Sequence, residues 1–560
     1  MTLAQMLRKT AQTFGERDAF VTLGKDAITW NYRTVFDGAL QYATALKQLG
    51  LKRGDRVSII AENSPEFALV DWACHCMGFV VVPIYTSLPA DQTQYILRDC
   101  EATLAVCGTA EFAKKAEGID GLKVLLLKGE DSLDTLARTA APPLSAIESE
   151  IDAGNPEDAC TIIYTSGTTG TPKGAVMPHR AFVHVCVAAR DHIQLTENDR
   201  FLNFLPMSHI YEQVAGQALP VYLGATICFS KSLSALATEM KEFKPTIMLA
   251  VPRFLENLRE RILGAVEKDK PIKQKLFHLF LSQGALHANG KFAPLYGVLD
   301  NLVGAKVRER TGNCLRFFVS GGAALEPTVA EFYSAVGLTV LQGYGLTETS
   351  GGTFVNKVEN NKYWTVGEPL QMETKIAPDG EILIRGPGLM LGYYNLPEES
   401  KAAIDPDGWF HTGDIGEFEG KNLKITDRKK DIIVLANGKN VAPQMIENKL
   451  KTSPFIQEAV VFGDKMDYCV ALIVLNDESV RKKLNIAEDV LLSENAETKA
   501  LVKREIDTVN KGLASFEGVK KHAILDKPFT IEGGELTPTL KVKRRVVNQE
   551  YADLIASLKR

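Results

Sequence analysis

The chain has no uninterrupted apolar run approaching the ~18 residues a membrane span needs. Its first residues, MTLAQMLRKTAQTFGERDAF, lack the apolar core of a signal peptide. Leu3, Met6, Leu7 and Phe14 instead suit one face of a helix. There is no excess of basic charge: 64 Lys and Arg stand against 69 Asp and Glu, a net charge of −5. That balance gives no global bias toward nucleic acid or anionic lipid. The nine cysteines are odd in number and their spacing suggests no disulfide framework. Cys74-His75-Cys76 is the one cluster, and it lacks the second ligand pair a zinc site requires. The thiols are expected to be buried, in a reducing, cytoplasmic compartment. No short-period repeat or low-complexity tract is evident.

What is present is an ordinary globular composition, in 560 residues, enough for about three to four domain-sized units. Short β-rich runs at 56–61, 103–107, 124–127, 225–229, 246–251, 316–319 and 339–342 alternate with amphipathic stretches. That alternation predicts α/β architecture with mainly parallel sheet. Residues 264–304, rich in Lys, Phe, Leu and His at helical spacing, predict a helical insertion. Residues 373–387 predict two strands about an Asp379-Gly380 turn. The charged string 426–431, TDRKKD, reads as an exposed linker, and strands at 458–462 and 470–475 predict a small α+β domain beyond it.

Residues 164–176 read YTSGTTGTPKGAV, after the apolar run Cys160-Thr161-Ile162-Ile163-Tyr164 that predicts a buried strand. Glycines let backbone N–H groups close on an oxyanion. Hydroxyls donate to phosphate oxygens, and Lys173 adds positive charge. The combination is a polyphosphate cradle. It is not the common P-loop, in which Gly-Lys is followed by Ser or Thr; Lys173 stands between Pro172 and Gly174. The plain alternative is a Ser/Thr/Gly linker.

Four more strings follow in order. FFVSGGAAL (317–325) ends a strand in small residues, leaving a flat slot for an aromatic base or simply a tight turn. QGYGLTET (342–349) supplies the Tyr344 ring for stacking and the Glu348 carboxylate for Mg²⁺, which prefers oxygen ligands. In WFHTGDIG (409–416), Asp414 lies in a glycine-flanked turn, as a ribose acceptor or an Asx-turn residue. LTPTLKVKRR (536–545) is a basic strand carrying Lys541.

These five strings, in this order, resemble the signatures of the adenylate-forming superfamily: acyl-CoA synthetases, aryl-CoA ligases, luciferases and peptide-synthetase adenylation domains. The resemblance covers almost the whole chain. It implies a large N-terminal domain of mainly parallel sheets with helices, residues 1–427, and a small mobile C-terminal α+β domain, residues 428–560, with its hinge near Lys430. It implies that Thr165, Ser166, Gly167, Thr168, Thr169, Gly170 and Lys173 hold the ATP phosphates. Gly321, Gly322, Ala323, Gly343, Tyr344, Gly345 and Thr347 surround the nucleotide, and Asp414 and Arg428 contact it further. Thr165 and Glu348 serve the metal. Lys541 is the mobile catalytic lysine, although many members have Ser-Gly where Thr539-Leu540 precede it. Gly438, in KKDIIVLANGKNVAPQMIE (429–447), falls at the coenzyme A arm.

LPMSHIYEQVAG (205–216) is most like long-chain fatty acyl-CoA synthetases, with His209 at the acyl pocket and apolar neighbours lining a tunnel. The implied reaction joins a fatty acid to ATP, giving acyl-adenylate and pyrophosphate, then to coenzyme A. A fatty acyl-AMP ligase loading a carrier protein, and a medium-chain or aryl acid:CoA ligase, are the alternatives. Expected partners are fatty acid, ATP, Mg²⁺ and coenzyme A, without nucleic acid. Peripheral contact with the inner face of a membrane and a homodimer are both compatible with the resemblance.

Overall fold

Runs of four or five apolar residues without polar alternation become strands buried on both faces, as parallel sheets require. The structure, a computed structural model, describes residues 1–140, 144–166, 172–531, 533–537 and 541–559. Its contacts divide it into two units: Met1–Lys375 with Leu383–His411 and Gly420–Leu423, and Ile376–Ile382 with Thr412–Glu419 and Lys424–Arg560.

The first unit holds two large sheets. One runs in the order Glu368–Pro369, Phe354–Val355, Thr339–Tyr344, Phe317–Ser320, Ile247–Ala250, Arg200–Asn203, Thr226–Phe229, Asp18–Val21, Thr29–Asn31. Its central pairings, from Thr339–Tyr344 to Asp18–Val21, are parallel. The other runs Gly392–Tyr393, Pro172–Pro178, Ala159–Ser166, Val80–Pro83, Arg56–Ile60, Leu104–Cys107, Lys123–Leu126, parallel from Ala159–Ser166 onward. All seven predicted strands of this unit are present, within a residue or two at their ends.

Helix Pro65–Met77 is buried along its length, as expected of a helix apolar all round. Ser64 caps it by accepting from the Phe67 N–H, and Gly78 ends it at φ 66°. Cys74 and Cys76 lie in it fully buried; of the nine thiols only Cys314 departs from expectation, being exposed. The predicted helical insertion is formed by Pro252–Glu267, Pro271–Ala288, Tyr296–Leu299, a π-helical turn Asp300–Gly304, and Ala305–Arg308. Phe277, Phe280 and Gly284 make its inner face. Helix Pro327–Ala335 approaches so closely that a Cβ on Gly284 would sit 2.0 Å from the Ala335 carbonyl oxygen. Among the described residues no helix is long and apolar enough to cross a membrane.

In the second unit a three-stranded sheet, Ile456–Phe462, Cys469–Leu475, Val519–Leu525, has its central strand buried throughout. Cys469, Ala471 and Ile473 pack against Ile446, Leu450 and Leu501, while Val470, Leu472 and Val474 pack with Phe529, Val547 and Ile555. Period-two alternation thus serves two apolar faces. The turn at Asp379-Gly380 is closed by the Gly380 N–H to the Ala377 carbonyl, 2.8 Å, with Gly380 at φ 86°. The charged string 426–431 is not simply an exposed linker: Thr426, Asp427 and Arg428 finish strand Asn422–Arg428, and Asp427 is buried. Only Lys429 onward forms a turn, made by the Asp431 and Ile432 N–H groups donating to the Arg428 carbonyl.

Candidate active site

The cradle string is a β-hairpin. Ala159–Ser166 pairs antiparallel with Pro172–Pro178, in register Thr165 with Lys173 and Ser166 with Pro172. A P-loop instead joins a strand to a helix. Gly167, Thr168, Thr169 and Gly170 lie outside the described residues. Gly174 serves packing rather than anion approach, since a Cβ there would lie 2.7 Å from Ile162 Cγ2 and 3.0 Å from the Tyr164 ring.

Lys173 projects beside the hairpin end. Its ammonium is paired with Glu399 and stands 5.5 Å from the centre of the Tyr393 ring. Tyr393 belongs to the short strand Gly392–Tyr393 that pairs with Pro172–Pro178. Its phenol donates to Glu348 Oε1 at 2.7 Å. Burial and the Glu348 charge hold that phenol well above its ordinary pKa, so it stays a donor. Tyr393 therefore ties the lysine of the first motif to the carboxylate of the third. Nothing in the sequence singles it out, because it sits in a two-residue strand outside every motif.

Glu348 lies on a single helical turn, Thr347–Thr349, anchored by the Leu346 N–H to Thr349 Oγ1, 2.9 Å, and by the Met390 N–H to the Glu348 carbonyl, 2.9 Å. Its Oε2 takes no hydrogen bond among the described residues. A carboxylate oxygen is a donor of the kind Mg²⁺ takes, with waters and phosphate oxygens completing its shell.

The parallel strands Ile247–Ala250, Phe317–Ser320 and Thr339–Tyr344 end side by side, and ligands of such sheets bind at the carboxyl ends. Gly321 is buried under Tyr211, whose hydroxyl donates to the Val319 carbonyl at 2.8 Å. Gly322, at φ 84°, and Ala323 are exposed. The Leu325 N–H donates to Gln342 Oε1, pinning this loop to the next strand. Gly343 pairs with Val355; Tyr344 stands 6.1 Å, tilted, from Phe354. Gly345 must be glycine, for a Cβ would come within 2.5 Å of the Gly351 backbone.

His209 opens a helix whose next turns, Glu212–Ala218, are π-helical, a geometry that recurs at functional sites. Its Nδ1 accepts from the Tyr211 N–H at 3.1 Å, and Tyr85 packs edge-on at 6.4 Å. Leu205, Met207, Ile210 and Val214 are buried around it, but polar side chains are buried with them. Glu212, Gln213 and Gln217 are buried here, and neither Glu212 carboxyl oxygen has a hydrogen-bond partner among the described residues. Burial pushes the Glu212 pKa well above the ordinary carboxylate range. A Cβ on Gly216 would lie 2.7 Å from Glu212 Cδ. Gly216→Ala is therefore expected to cost about 1–3 kcal/mol, as overpacking does. An unchanged urea midpoint would contradict this placement.

The second unit has its own charged cluster. Asp414 is not in a turn but in strand Phe410–Glu419, where Gly413 at φ 69° locally bends the chain. The Gly413 N–H donates to Glu381 Oε1 at 2.9 Å and the Asp414 N–H to Thr412 Oγ1 at 3.1 Å. Buried Asp414 pairs with Arg428, Oδ1 to Nε 3.0 Å. Lys429 binds Asp379 and Glu381, at 2.6 and 3.0 Å. The neighbouring Asp427 is pushed up to about 6 by burial.

Pro538, Thr539 and Leu540 are outside the described residues; the Thr537 N–H donates to the Lys541 carbonyl at 2.8 Å. The residue as a whole is exposed, yet desolvation of its ammonium lowers the pKa to about 8. The Arg428 charge adds to that shift and Asp414 opposes it. Lys541, Asp414 and Arg428 therefore share one electrostatic neighbourhood. Lys430 is exposed in the turn after Arg428. Gly438, at φ 78°, ends a tight hairpin between Ile433–Val434 and Asn440–Val441; it is required for its backbone angle, since a Cβ would meet nothing within 4 Å.

Parallel strands with helices between them, ending side by side in small residues, define an α/β protein. Residues 7–394 match the AMP-binding enzyme family and residues 430–559 the AMP-binding enzyme C-terminal domain. The chain belongs to this family. The long-chain-fatty-acid–CoA ligase FadD15 of Mycobacterium bovis is 34% identical, over 94% of this chain and 92% of that protein. The peroxisomal long chain acyl-CoA synthetase 6 of Arabidopsis thaliana is 32% identical, over 91% of this chain and 78% of that protein. The solved anthranilate CoA ligase AuaEII, in complex with anthranoyl-AMP, has the same fold, with TM-score 0.76 at 21% identity over 100% of this chain and 98% of that one. The expected α/β architecture, with a large parallel-sheet domain and a C-terminal α+β domain, is the one found.

Proposed function

We propose that this protein is an AMP-forming long-chain fatty acid:CoA ligase. The carboxylate oxygen of the acid attacks the α-phosphorus of ATP, the bond to the β-phosphate oxygen breaks, and pyrophosphate leaves. The sulfur of coenzyme A then attacks the acyl carbonyl, the bond to the AMP oxygen breaks, and AMP leaves as the thiol proton passes to solvent. The observation that carries this reading is Lys541 beside the Asp414–Arg428 pair: a cation supplied with a ribose acceptor and a second cation.

The physical need is charge. Two unit charges near 4 Å repel by about 4 kcal/mol at an effective dielectric near 20, and both reactants are anionic. Lys173 and the hairpin N–H groups serve the phosphates, Tyr344 stacks on the base, and Gly321, Gly322, Ala323, Gly343, Gly345 and Thr347 line its slot. Asp414 accepts from the ribose, and Lys541 bridges carboxylate and phosphate. Thr165 and Glu348 would hold magnesium, which when bound neutralises phosphate oxygens. His209 borders the acyl pocket. Residues 428–560 then move about Lys430 and bring the Gly438 loop to coenzyme A. Cytoplasmic placement with peripheral contact at the inner face of a membrane, where long-chain acids partition, belongs to the same reading.

Acid-dependent ATP–pyrophosphate exchange and thioester formation, measured over C2 to C20 acids and one aryl acid, test it. The largest kcat/KM should fall on a long chain with coenzyme A as acceptor. Exchange without any thioester product would point to carrier-protein loading instead. Glu348→Ala should lower kcat and shift the Mg²⁺ titration to higher concentration; an unmoved titration would remove Glu348 from the metal.

A further inference from the structure

We propose that the outer face of the helical segment 268–306 is the surface by which this protein docks on an anionic phospholipid bilayer. The segment's inner face is already occupied, with Phe277, Phe280 and Leu299 buried in the core. Its outer face is nevertheless apolar: Ile272, Phe292, Val298 and Leu302 are 80%, 87%, 63% and 54% exposed, and Leu279 and Leu295 join them.

These side chains form one stripe. Ile272, Leu279 and Gln283 fall on the same side of helix Pro271–Ala288. The Leu295 N–H donates to Gln283 Oε1 at 3.2 Å, and Tyr296 stacks on His287 at 4.0 Å between ring centres, so the following helix lies along that flank. Leu295, Val298 and Leu302 then recur at i, i+3 and i+7 on its open side.

Charge selects the occupant. Asp269 is bound to Lys273 at 2.7 Å and Asp300 to Arg308 at 2.6 Å, so the acids of the segment are neutralised internally. Lys268, Lys270, Lys275, Lys291 and Lys306 are all exposed, with no acid partner among the described residues. The whole chain carries −5, so this positive field is local and would orient the molecule. Protruding apolar side chains flanked by lysines are what an interface of acyl chains and phosphates takes up. A second copy would set lysines against lysines across a twofold axis.

The inference deepens the peripheral contact proposed above and rests on a lipid substrate. Its test is read without ATP or coenzyme A, so acyl-CoA formation remains an independent measurement. The full chain is sedimented with vesicles of phosphatidylglycerol and phosphatidylcholine in equal parts, and with phosphatidylcholine alone. The wild type should bind the anionic vesicles and lose binding about tenfold without phosphatidylglycerol or at ~1 M salt. The combined variant Phe292→Ser, Leu295→Ser, Val298→Ser, all exposed positions, should lose binding about tenfold while turning over a dissolved acid as the wild type does. Wild type left in the supernatant, or a variant that binds as well as the wild type, overturns the proposal. So does a variant that turns a dimer into a monomer with vesicle binding unchanged, which would assign the face to a second copy.

Discussion

Lys541→Ala is expected to lower acyl-adenylate formation by about 10²–10³, the scale of removing one preorganised charge donor from a developing anion, while thioester formation from supplied acyl-adenylate survives. The first half-reaction brings a carboxylate to a polyphosphate, and only a cation that touches both relieves their repulsion. The second half-reaction has no such demand, because the carboxylate charge has been consumed in the mixed anhydride. The Lys541 ammonium, with its pKa lowered to about 8, remains largely protonated at pH 7, so its charge is present for the first half-reaction. Equal loss of both halves would contradict the role.

Lys430→Pro is expected to have the reverse effect: exchange of pyrophosphate into ATP persists and coenzyme A-dependent thioester formation falls by about 10²-fold, the scale of misplacing reacting groups by roughly an ångström. The turn after Arg428 is built on residues 429–431, with two N–H groups returning to one carbonyl. Proline at 430 locks its own φ and restricts Lys429. A turn that must change conformation between the two halves would be frozen in one of them. Unchanged overall turnover would reject the hinge.

Much of the fold was legible because parallel strands buried on both faces are written as unbroken apolar runs. Residues 247–250 and 317–319 could hardly be anything else. The string around Tyr344 is marked for a related reason: glycine at 345 is forced by a backbone approach that no side chain tolerates. What was not legible depends on distant partners. Tyr393 matters because its short strand pairs with the cradle hairpin and its phenol reaches Glu348. Nothing in the sequence singles out Glu212, and only the packing around the π turns shows it buried, with its pKa pushed up. Asp414 looked like a turn residue because glycines flank it. It lies instead in an inner strand of a sheet, where the neighbouring Gly413 N–H donates to Glu381 Oε1.

The central claim is that a protonated Lys541 neutralises the meeting of two anions. Acid-dependent ATP–pyrophosphate exchange followed across the alkaline range, in the wild type and in Arg428→Gln, tests it most directly. The lowered Lys541 pKa means its charge is present below and lost above about pH 8, so exchange should decline there, and removing the Arg428 charge should move the decline to higher pH. A wild-type rate that stays level well above that value, or a decline at the same pH in both proteins, would contradict the account.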